Sequence, residues 1–301
     1  MQDQPKSKDH EWTIIKLLEW TRSYFQSHCI ESPRAAAEIL LAYTLGVNRI
    51  DLYVQHDKPL CKNELGKFKT LIKRRIANEP VAYILETKEF WSMDFHVNRD
   101  VLIPRPETEC LVEAALELLP DNASTGQKNV LDLGTGSGAV IISIASERPH
   151  NFFFASDRSI KAITIAKKNA VHLTLERRIN FFSGDWFLPV NERLRFFDII
   201  VSNPPYISKG IIPSLCPEIY RYEPIIALDG GEDGLSSLKN IIMGAHKYLK
   251  KHGCLILEIG ETQTSDLKKI IDDCGKYDQV TFIKDYSGYD RILKIRGSSP
   301  D

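Results

Sequence analysis

The chain has 301 residues, with 39 Lys plus Arg against 40 Asp plus Glu and a formal net charge of −1. That length allows one large domain or two modest ones, each able to bury its own core. The near-neutral balance argues against a protein held to nucleic acid by bulk electrostatics, although it leaves room for a local basic patch.

Met1 to His10 is polar and charged, unlike the apolar core of a secretory signal. The longest apolar runs are strand-sized, far short of the roughly 20 residues that span a bilayer. The cysteines Cys29, Cys61, Cys110, Cys216, Cys254 and Cys274 form no Cys-x-x-Cys pair and have no paired histidines. Free thiols in a reducing compartment are therefore expected, with no metal site and no disulfide framework. A cytoplasmic protein without membrane contact is the expectation.

Residues 1–85 read as a helical N-terminal domain. Trp12, Ile15, Leu18 and Trp20 open an amphipathic stretch. "SPRAAAEILLAYTLG" follows, with Ser32 as N-cap, Pro33 at the first helical position and Gly46 as C-cap. "NELGKFKTLIKRRIANEP" reads as a third helix, with Leu65, Phe68, Leu71, Ile72 and Ile76 on one face. Its other side carries Lys67, Lys69, Lys73, Arg74 and Arg75, either a solvated face or a docking surface for an RNA-like or acidic partner.

Residues 86–103 are aromatic and β-branched, with Asn98 and Asp100 in the middle, and suggest a β-hairpin linker between two bodies. "PRPETECLVEAALELL" then turns into a helix with Leu111, Val112, Ala115, Leu118 and Leu119 as its buried stripe. After the polar break "PDNASTGQK", strand-like and helix-like runs alternate: "NVLDL", "FFFAS", "INFFSGD", "DIIVS", "CLILEIG", "VTFIKD" and "RILKIR" are the strands. Such alternation makes an α/β fold with a largely parallel, doubly wound sheet. Only "YSGYD" separates the last two strands, so they should form an antiparallel hairpin.

Chemistry gathers where the strands end. After "VLDL", the loop Gly134, Thr135, Gly136, Ser137, Gly138 runs straight into a helix. Glycines there let the chain turn sharply and let a ligand approach the main chain near free helix N–H groups; the bland alternative is a tight strand–helix turn. Asp157 ends the second strand, where a carboxylate can accept from both hydroxyls of a ribose or simply cap the next helix. Asp185 and Trp186 follow the third strand, an acceptor for an adenine amine and a flat apolar wall for a purine; core packing is the other reading of the indole.

The fourth strand ends in Asn203, Pro204, Pro205 and Tyr206. Tandem prolines stiffen the chain and remove N–H donors, so this loop presents acceptors. An Asn oxygen and a proline carbonyl can hold an –NH₂ group by both hydrogens, leaving its lone pair directed away, with Tyr206 stacked beside it. That arrangement suits methylation of a planar amino group, which needs orientation and no strong base. Taken alone, the quartet could be no more than a turn.

"VLDLGTGSG", "SGDWF" and "IVSNPPYI", in that order, resemble the class I, seven-strand methyltransferases that use S-adenosyl-L-methionine. "VLIPRPETECLVE", "RYEPIIALDGGEDGL" and "KDYSGYDRIL" narrow the resemblance to the bacterial release factor glutamine methyltransferases, the PrmC/HemK family. The resemblance implies a Rossmann-like methyltransferase domain over 104–301 with a C-terminal antiparallel hairpin, and a small all-helical domain that recognises the partner. It implies that Gly134 to Gly138, Asp157, Asp185, Trp186 and Asn203 bind the cofactor, with S-adenosyl-L-homocysteine as product. Asn203, Pro204, Pro205 and Tyr206 would hold the substrate amide, with Asn203, Pro204 and Tyr206 catalytic. The implied partner is a class 1 peptide chain release factor, methylated at the Gln of its Gly-Gly-Gln motif. No specific nucleic-acid binding is expected, and the chain is expected to be a monomer. Arg105 and Glu107 to Glu109 fall where the family packs a segment against the cofactor pocket. Rival readings are a DNA methyltransferase acting on adenine or cytosine amino groups, and a ribosomal-protein glutamine methyltransferase. A non-enzymatic nucleoside-binding module is a third.

Overall fold

Apolar residues spaced three and four apart shape the first half of the computed structural model, which describes residues 12–120, 126–192 and 195–297. The polar stretch Met1 to His10 and most of the break at 120–128 lie outside the described residues. The chain divides between Glu86 and Thr87 into two units, each with its own core.

In the first unit, helix α1 (Ile14–Ser27) buries Ile14, Leu17, Leu18, Thr21 and Phe25. Trp12 and Trp20 instead stay on its exposed side, and Trp20 stacks on Tyr24 with ring centroids 4.9 Å apart. Helix α2 (Pro33–Leu45) starts at proline and stops at Gly46, whose φ of 66° is the left-handed C-cap expected of glycine. Ser32 does not act as the expected cap. It too lies in the left-handed region, φ 48°, and its side chain accepts no capping bond. Helices α3 (Arg49–Val54) and α5 (Val81–Leu85) were not expected, being too short to display an apolar period. Asp51 starts α3 by accepting from Asn48 N at 2.9 Å. Helix α4 (Lys62–Ile76) turns Phe68 and Ile72 inward, but Arg75 is buried as well. Arg75 donates to the Glu79 carbonyl, and Arg74 makes a bidentate pair with the Glu79 carboxylate at 2.8 and 2.9 Å. The basic face therefore shrinks to Lys67, Lys69 and Lys73, because the two arginines tie down the turn after α4.

The second unit begins with the hairpin β1 (Thr87–Phe90) and β2 (Met93–His96). Its turn is Trp91-Ser92, both with positive φ (52° and 55°), and not the Asn98–Asp100 stretch. Phe90 and Phe95 are buried in the same core as Leu111 and Ile142, so the hairpin is part of this unit rather than a separate linker. A short 3₁₀ turn (Pro106–Thr108) leads into α6 (Glu109–Leu116), which buries Leu111, Val112 and Ala115.

Strand β3 (Asn129–Leu133), helix α7 (Ala139–Glu147), strand β4 (Phe152–Asp157), helix α8 (Ile160–His172) and strand β5 (Ile179–Ser183) follow in alternation. The chain then returns as β6 (Phe197–Ser202), passes the short helix α9 (Pro217–Tyr220), and continues as α10 (Ser236–Ala245) and β7 (Leu249–Glu258). It ends with α11 (Thr264–Cys274), β8 (Tyr277–Lys284) and β9 (Asp290–Gly297). The sheet order is β5-β4-β3-β6-β7-β9-β8, parallel through β7, with β9 antiparallel to both neighbours. Every strand expected from the sequence is present in the seven-stranded sheet, and the α/β, doubly wound expectation holds. Successive strands are added on one side of β3 up to β5 and on its other side from β6, and such sheets bind ligands in the crevice beyond the strand ends at that switch.

One buried charge in the first unit makes a test. Glu38 on α2, 4% exposed, accepts from Arg34 at 2.8 Å and also from Arg49 and the Tyr53 hydroxyl. Burial opposes its ionisation, but those three donors outweigh burial and hold its pKa down to about 2. A depressed acid stabilises the fold above its unfolded pKa, and that stability is lost as pH falls through the folded value. Glu38→Gln should therefore cost about 2 kcal/mol at about pH 7, less than the whole shift because both arginines remain exposed to screening. The gap from wild type should close as pH falls from about 4.5 towards about 2. Denaturation followed by circular dichroism at both ends of that range checks it; an equal gap at both would refute the assignment.

Candidate active site

Strands β3 and β6 end on the same rung, Leu133 opposite Ser202, and the Ser202 hydroxyl donates to the Leu133 carbonyl at 2.6 Å. The glycine loop and the Asn-Pro-Pro-Tyr loop therefore leave the sheet side by side. Beyond them lies a cavity of about 600 Å³. Its walls include Gly134 to Ser137, Asp157, Asp185, Trp186, Asn203 and Pro205. Gly138, Pro204 and Tyr206 adjoin these residues in sequence without lining the cavity themselves.

Gly134, Gly136 and Gly138 all have positive φ (72°, 55° and 82°), which explains why glycine is needed at each. Their reasons otherwise differ. A Cβ on Gly138 would lie 2.9 Å from Ile142 Cδ1 and 3.2 Å from Ala166 Cβ, so this glycine lets α7 pack on α8. A Cβ on Gly136 would meet nothing within 4 Å and would project into open space. Four N–H groups of this loop are taken up within the fold. Those of Gly134 and Thr135 go to the Ser156 carbonyl, Gly138 to the Thr135 carbonyl, and Gly136 to Asp157. The glycines supply room for a ligand, and those four donors hold the shape of the loop.

Asp157 accepts from Gly136 N at 3.0 Å and Ser159 N at 2.8 Å, one bond on each oxygen. It is not the cap of α8, because Ser159 takes that place by accepting from Ala162 N. A carboxylate has about four acceptor positions, so two are left for hydroxyls. Burial raises the Asp157 pKa. Trp186 flanks the glycine turn, with its ring 3.7 Å from where a Gly134 Cβ would be. Asp185 beside it is exposed. Space over glycines, an acceptor for vicinal hydroxyls and a flat indole fit a nucleoside carrying an amino-acid tail, and therefore fit S-adenosyl-L-methionine.

At the other wall, Asn203 Nδ2 donates to Thr108 Oγ1 at 3.2 Å. This turns Asn203 Oδ1 away as an acceptor. Among the described residues, neither Asn203 Oδ1 nor the Pro204 carbonyl receives a hydrogen bond. The Tyr206 hydroxyl points back to Glu258 Oε1 at 3.0 Å, and burial raises the Tyr206 pKa far above its usual value.

The supporting residues were the ones sequence reasoning missed. Asp132, at the end of β3, accepts from the Thr135 hydroxyl at 2.6 Å, and burial pushes its pKa up to about 7. Gln263 donates to the carbonyls of Tyr206 and Gly234, both at 3.1 Å, and accepts from Gly260 N. Glu223, 4% exposed, pairs with Arg105 and accepts from Ile103 N at 3.2 Å. Arg105 thus anchors the segment ahead of α6, while Glu109 accepts from Trp91 N at 2.9 Å in the hairpin turn. Thr108, between them, lines the cavity, as does Pro104 at the start of that segment.

A family model described as the PrmC N-terminal domain matches residues 16–85, and another described as the methyltransferase small domain matches residues 111–214. The chain is 40% identical over 289 residues to the release factor glutamine methyltransferase of Geobacter sulfurreducens, covering 95% of this chain and 97% of that protein. It is 38% identical over 291 residues to that of Rhodopirellula baltica, covering 96% and 98%. In structure it is similar to a human methyltransferase 10 domain containing protein. The TM-score is 0.52 at 19% identity, over 70% of this chain and 90% of that one, a likeness of fold alone. With the glycine loop, the strand-end acids and the acceptor loop on one cavity, and with matches this long, the chain is a methyltransferase and belongs to the release factor glutamine methyltransferase family.

Proposed function

We propose that the chain transfers a methyl group from S-adenosyl-L-methionine to the side-chain amide nitrogen of the Gln in the Gly-Gly-Gln motif of class 1 release factors. The observation that carries this reading is the polarity of Asn203: with Nδ2 committed to Thr108, its oxygen and the neighbouring Pro204 carbonyl form a pair of acceptors. Two acceptors can take both hydrogens of one –NH₂ and refuse a group that lacks them. The names of the relatives favour a glutamine amide over a nucleic-acid base as the group so held.

An amide nitrogen is a poor nucleophile because its lone pair is delocalised into the carbonyl. Asn203 and Pro204 counter this by drawing both hydrogens to one side, which favours a pyramidal nitrogen and stabilises positive charge as it develops there. The cofactor supplies the methyl group, on a cationic sulfur. Gly134 to Gly138 give it space, Asp157 accepts from its ribose, and Trp186 with Asp185 borders its adenine. Pro205 stiffens the loop, and Tyr206 flanks the amide from a ring anchored through its hydroxyl. In this reading the N-terminal domain, up to residue 85, recognises the release factor, and the protein works as a monomer in the cytoplasm.

The test is to incubate the protein with methyl-labelled S-adenosyl-L-methionine and, separately, purified release factor, duplex DNA and ribosomal proteins. Label should enter the release factor at its Gly-Gly-Gln glutamine. Label in DNA or ribosomal protein instead, or in none of the three, would overturn the reading.

The role given to Asn203 is tested separately by Asn203→Ala. Cofactor affinity should stay within about threefold while kcat falls by on the order of a hundredfold or more. Parallel loss of both would make Asn203 a cofactor ligand first and a clasp second.

A further inference from the structure

Segment 222–228 runs from the stretch ahead of α6 to the acceptor loop, and both its ends are tied down. At one end Glu223 is buried, accepts from Ile103 N at 3.2 Å and pairs with Arg105. Beside it the Arg99 guanidinium lies 4.6 Å from the centre of the Tyr222 ring. At the other end Leu228 is buried, and its carbonyl accepts from Ile207 N at 3.1 Å, directly after Tyr206. Between these ties the chain makes a 3₁₀ turn, Ile225–Ala227. Ala227 N donates to the Pro224 carbonyl, and Leu228 N and Asp229 N donate to the Ile225 carbonyl, each at 2.9 Å.

Ile225 and Ile226 line the cavity, yet they stay 51% and 45% exposed. A folded chain can leave isolated isoleucines on its surface without consequence. These two differ in their place. They are adjacent, they sit in a hydrogen-bonded turn, and they share a cavity wall with Asn203 and Pro205. Their β-branched side chains also have few rotamers, so the apolar shape they present is well defined.

The substrate's own chemistry brings a main chain to this point. A glutamine amide hangs from its α-carbon by only two methylenes. For the nitrogen to reach Asn203 and Pro204, the backbone on either side of the glutamine must come down to the cavity rim. The acceptor loop is flanked there by Thr108, bonded to Asn203, and by Leu228, bonded to Ile207. Apolar side chains offer a descending backbone no hydrogen bonds; they offer contact and a limit on space. A residue without a side chain can lie flat against them. A Cβ in the same place lifts the backbone and draws the amide nitrogen back from its acceptors.

We infer that Ile225 and Ile226 are specificity-determining residues, an apolar lip that takes the main chain of a side-chain-less residue next to the substrate glutamine. This rests on the release-factor reading above, in which the Gly-Gly-Gln motif puts glycine in that place. The acceptor loop reads the –NH₂ group, and the lip reads the absence of a side chain beside it. A glutamine preceded by a larger residue has the same amide but cannot bring it as far.

The test uses the full chain as wild type, as Ile225→Ala and Ile226→Ala singly and together, and as Ile225→Val with Ile226→Val. The substrates are native release factor and release factor with alanine in place of the glycine that precedes the glutamine. For each pair kcat and KM are measured, with S-adenosyl-L-homocysteine affinity by calorimetry, melting temperature and sedimentation alongside. Wild type should use the alanine substrate with a kcat/KM at least about tenfold lower. The alanine pair should raise KM for native release factor about tenfold and keep kcat within about threefold, because the lost contact holds ground state and transition state alike. It should also narrow the discrimination between the two substrates by at least about threefold, since the space it opens accepts the added methyl. The valine pair keeps the branched shape and should retain most of both. S-adenosyl-L-homocysteine affinity should stay within about twofold, and melting temperature should hold because neither side chain is buried.

Equal use of the two substrates by wild type, unchanged discrimination in the alanine pair, or valine no better than alanine would each overturn the inference. So would a loss of S-adenosyl-L-homocysteine affinity equal to the rise in KM, which would put the isoleucines on the cofactor. A wild-type dimer that the alanine pair dissociates would overturn it too, since a second copy would then cover the lip. Should the alanine pair not fold, the single variants still decide it. Wild-type protein that fails to methylate release factor at all would instead sink the substrate reading, so the two failures are distinguishable.

Discussion

The bond from the Ser202 hydroxyl to the Leu133 carbonyl closes the last rung between β3 and β6, and the site depends on that closure. These are the strands at which strand addition switches from one side of the sheet to the other, so the connections after them leave in opposite senses and open a crevice between them. Two loops of opposite backbone chemistry start from this one rung. The β3 loop is rich in glycine and can take the left-handed conformations that bend it tightly around a ligand. The β6 loop has two prolines, which cannot bend that way and cannot donate. One wall of the cavity is therefore open space against main chain, and the other is a stiff edge of acceptors.

Buried acids act as struts around that cavity. Asp132, Asp157, Glu223 and Glu258 are all pushed towards neutrality by burial, a cost that any one of them imposes on the fold. Each ties a loop that would otherwise be loose. Asp157 holds the glycine turn through Gly136 N, and Asp132 holds it through Thr135. Glu223 holds the segment ahead of α6 through Arg105 and Ile103 N. Glu258 holds Tyr206. A carboxylate suits this work because its two oxygens can each accept from a different element. A hydrophobic strut would be cheaper to bury but could not specify direction.

Strands and strand ends were legible in the sequence because they depend on local pattern. Short β-branched and aromatic runs bounded by glycine, proline and acids identify β3 to β9, and the last residues of those runs are where Asp157 and Asn203 stand. Asp185 and Trp186 follow one such end. Features that depend on a distant partner were not legible. Thr108 meets Asn203 across 95 residues, and Arg105 meets Glu223 across 118, separations for which a single chain carries no periodic signal. The hairpin turn was misplaced because Asn98 and Asp100 have stronger turn chemistry than Trp91-Ser92, yet burial of Phe90 and Phe95 sets the register. Arg75 looked like surface charge for the same reason: its neighbours in sequence are lysines, but its partner is the carbonyl of Glu79.

The acceptor loop shows why so much structure serves so few reacting atoms. A methyl transfer to an amide nitrogen asks for orientation above all, because no strong base or covalent intermediate assists it. Each backbone residue left free to choose its conformation would cost about 1–2 kcal/mol to order at the moment of reaction. Here that ordering is already in place. Ser202 is bonded to β3 on one side, and the Tyr206 carbonyl is bonded to Gln263 on the other. Gly234 lies so close that a Cβ would sit 2.5 Å from the Tyr206 carbonyl, so the supporting loop cannot carry a side chain there. Ile207 pairs with Asp229 just beyond, with Ile207 N donating to the Leu228 carbonyl at 3.1 Å and Gly230 N to the Ile207 carbonyl at 2.8 Å. Between these fixed ends the prolines leave Asn203 little backbone freedom, and the remaining uncertainty is which way its amide points. That is a question of hydrogen-bond direction rather than position, and the bond from Asn203 Nδ2 to Thr108 Oγ1 answers it by leaving the Asn203 oxygen as the free acceptor.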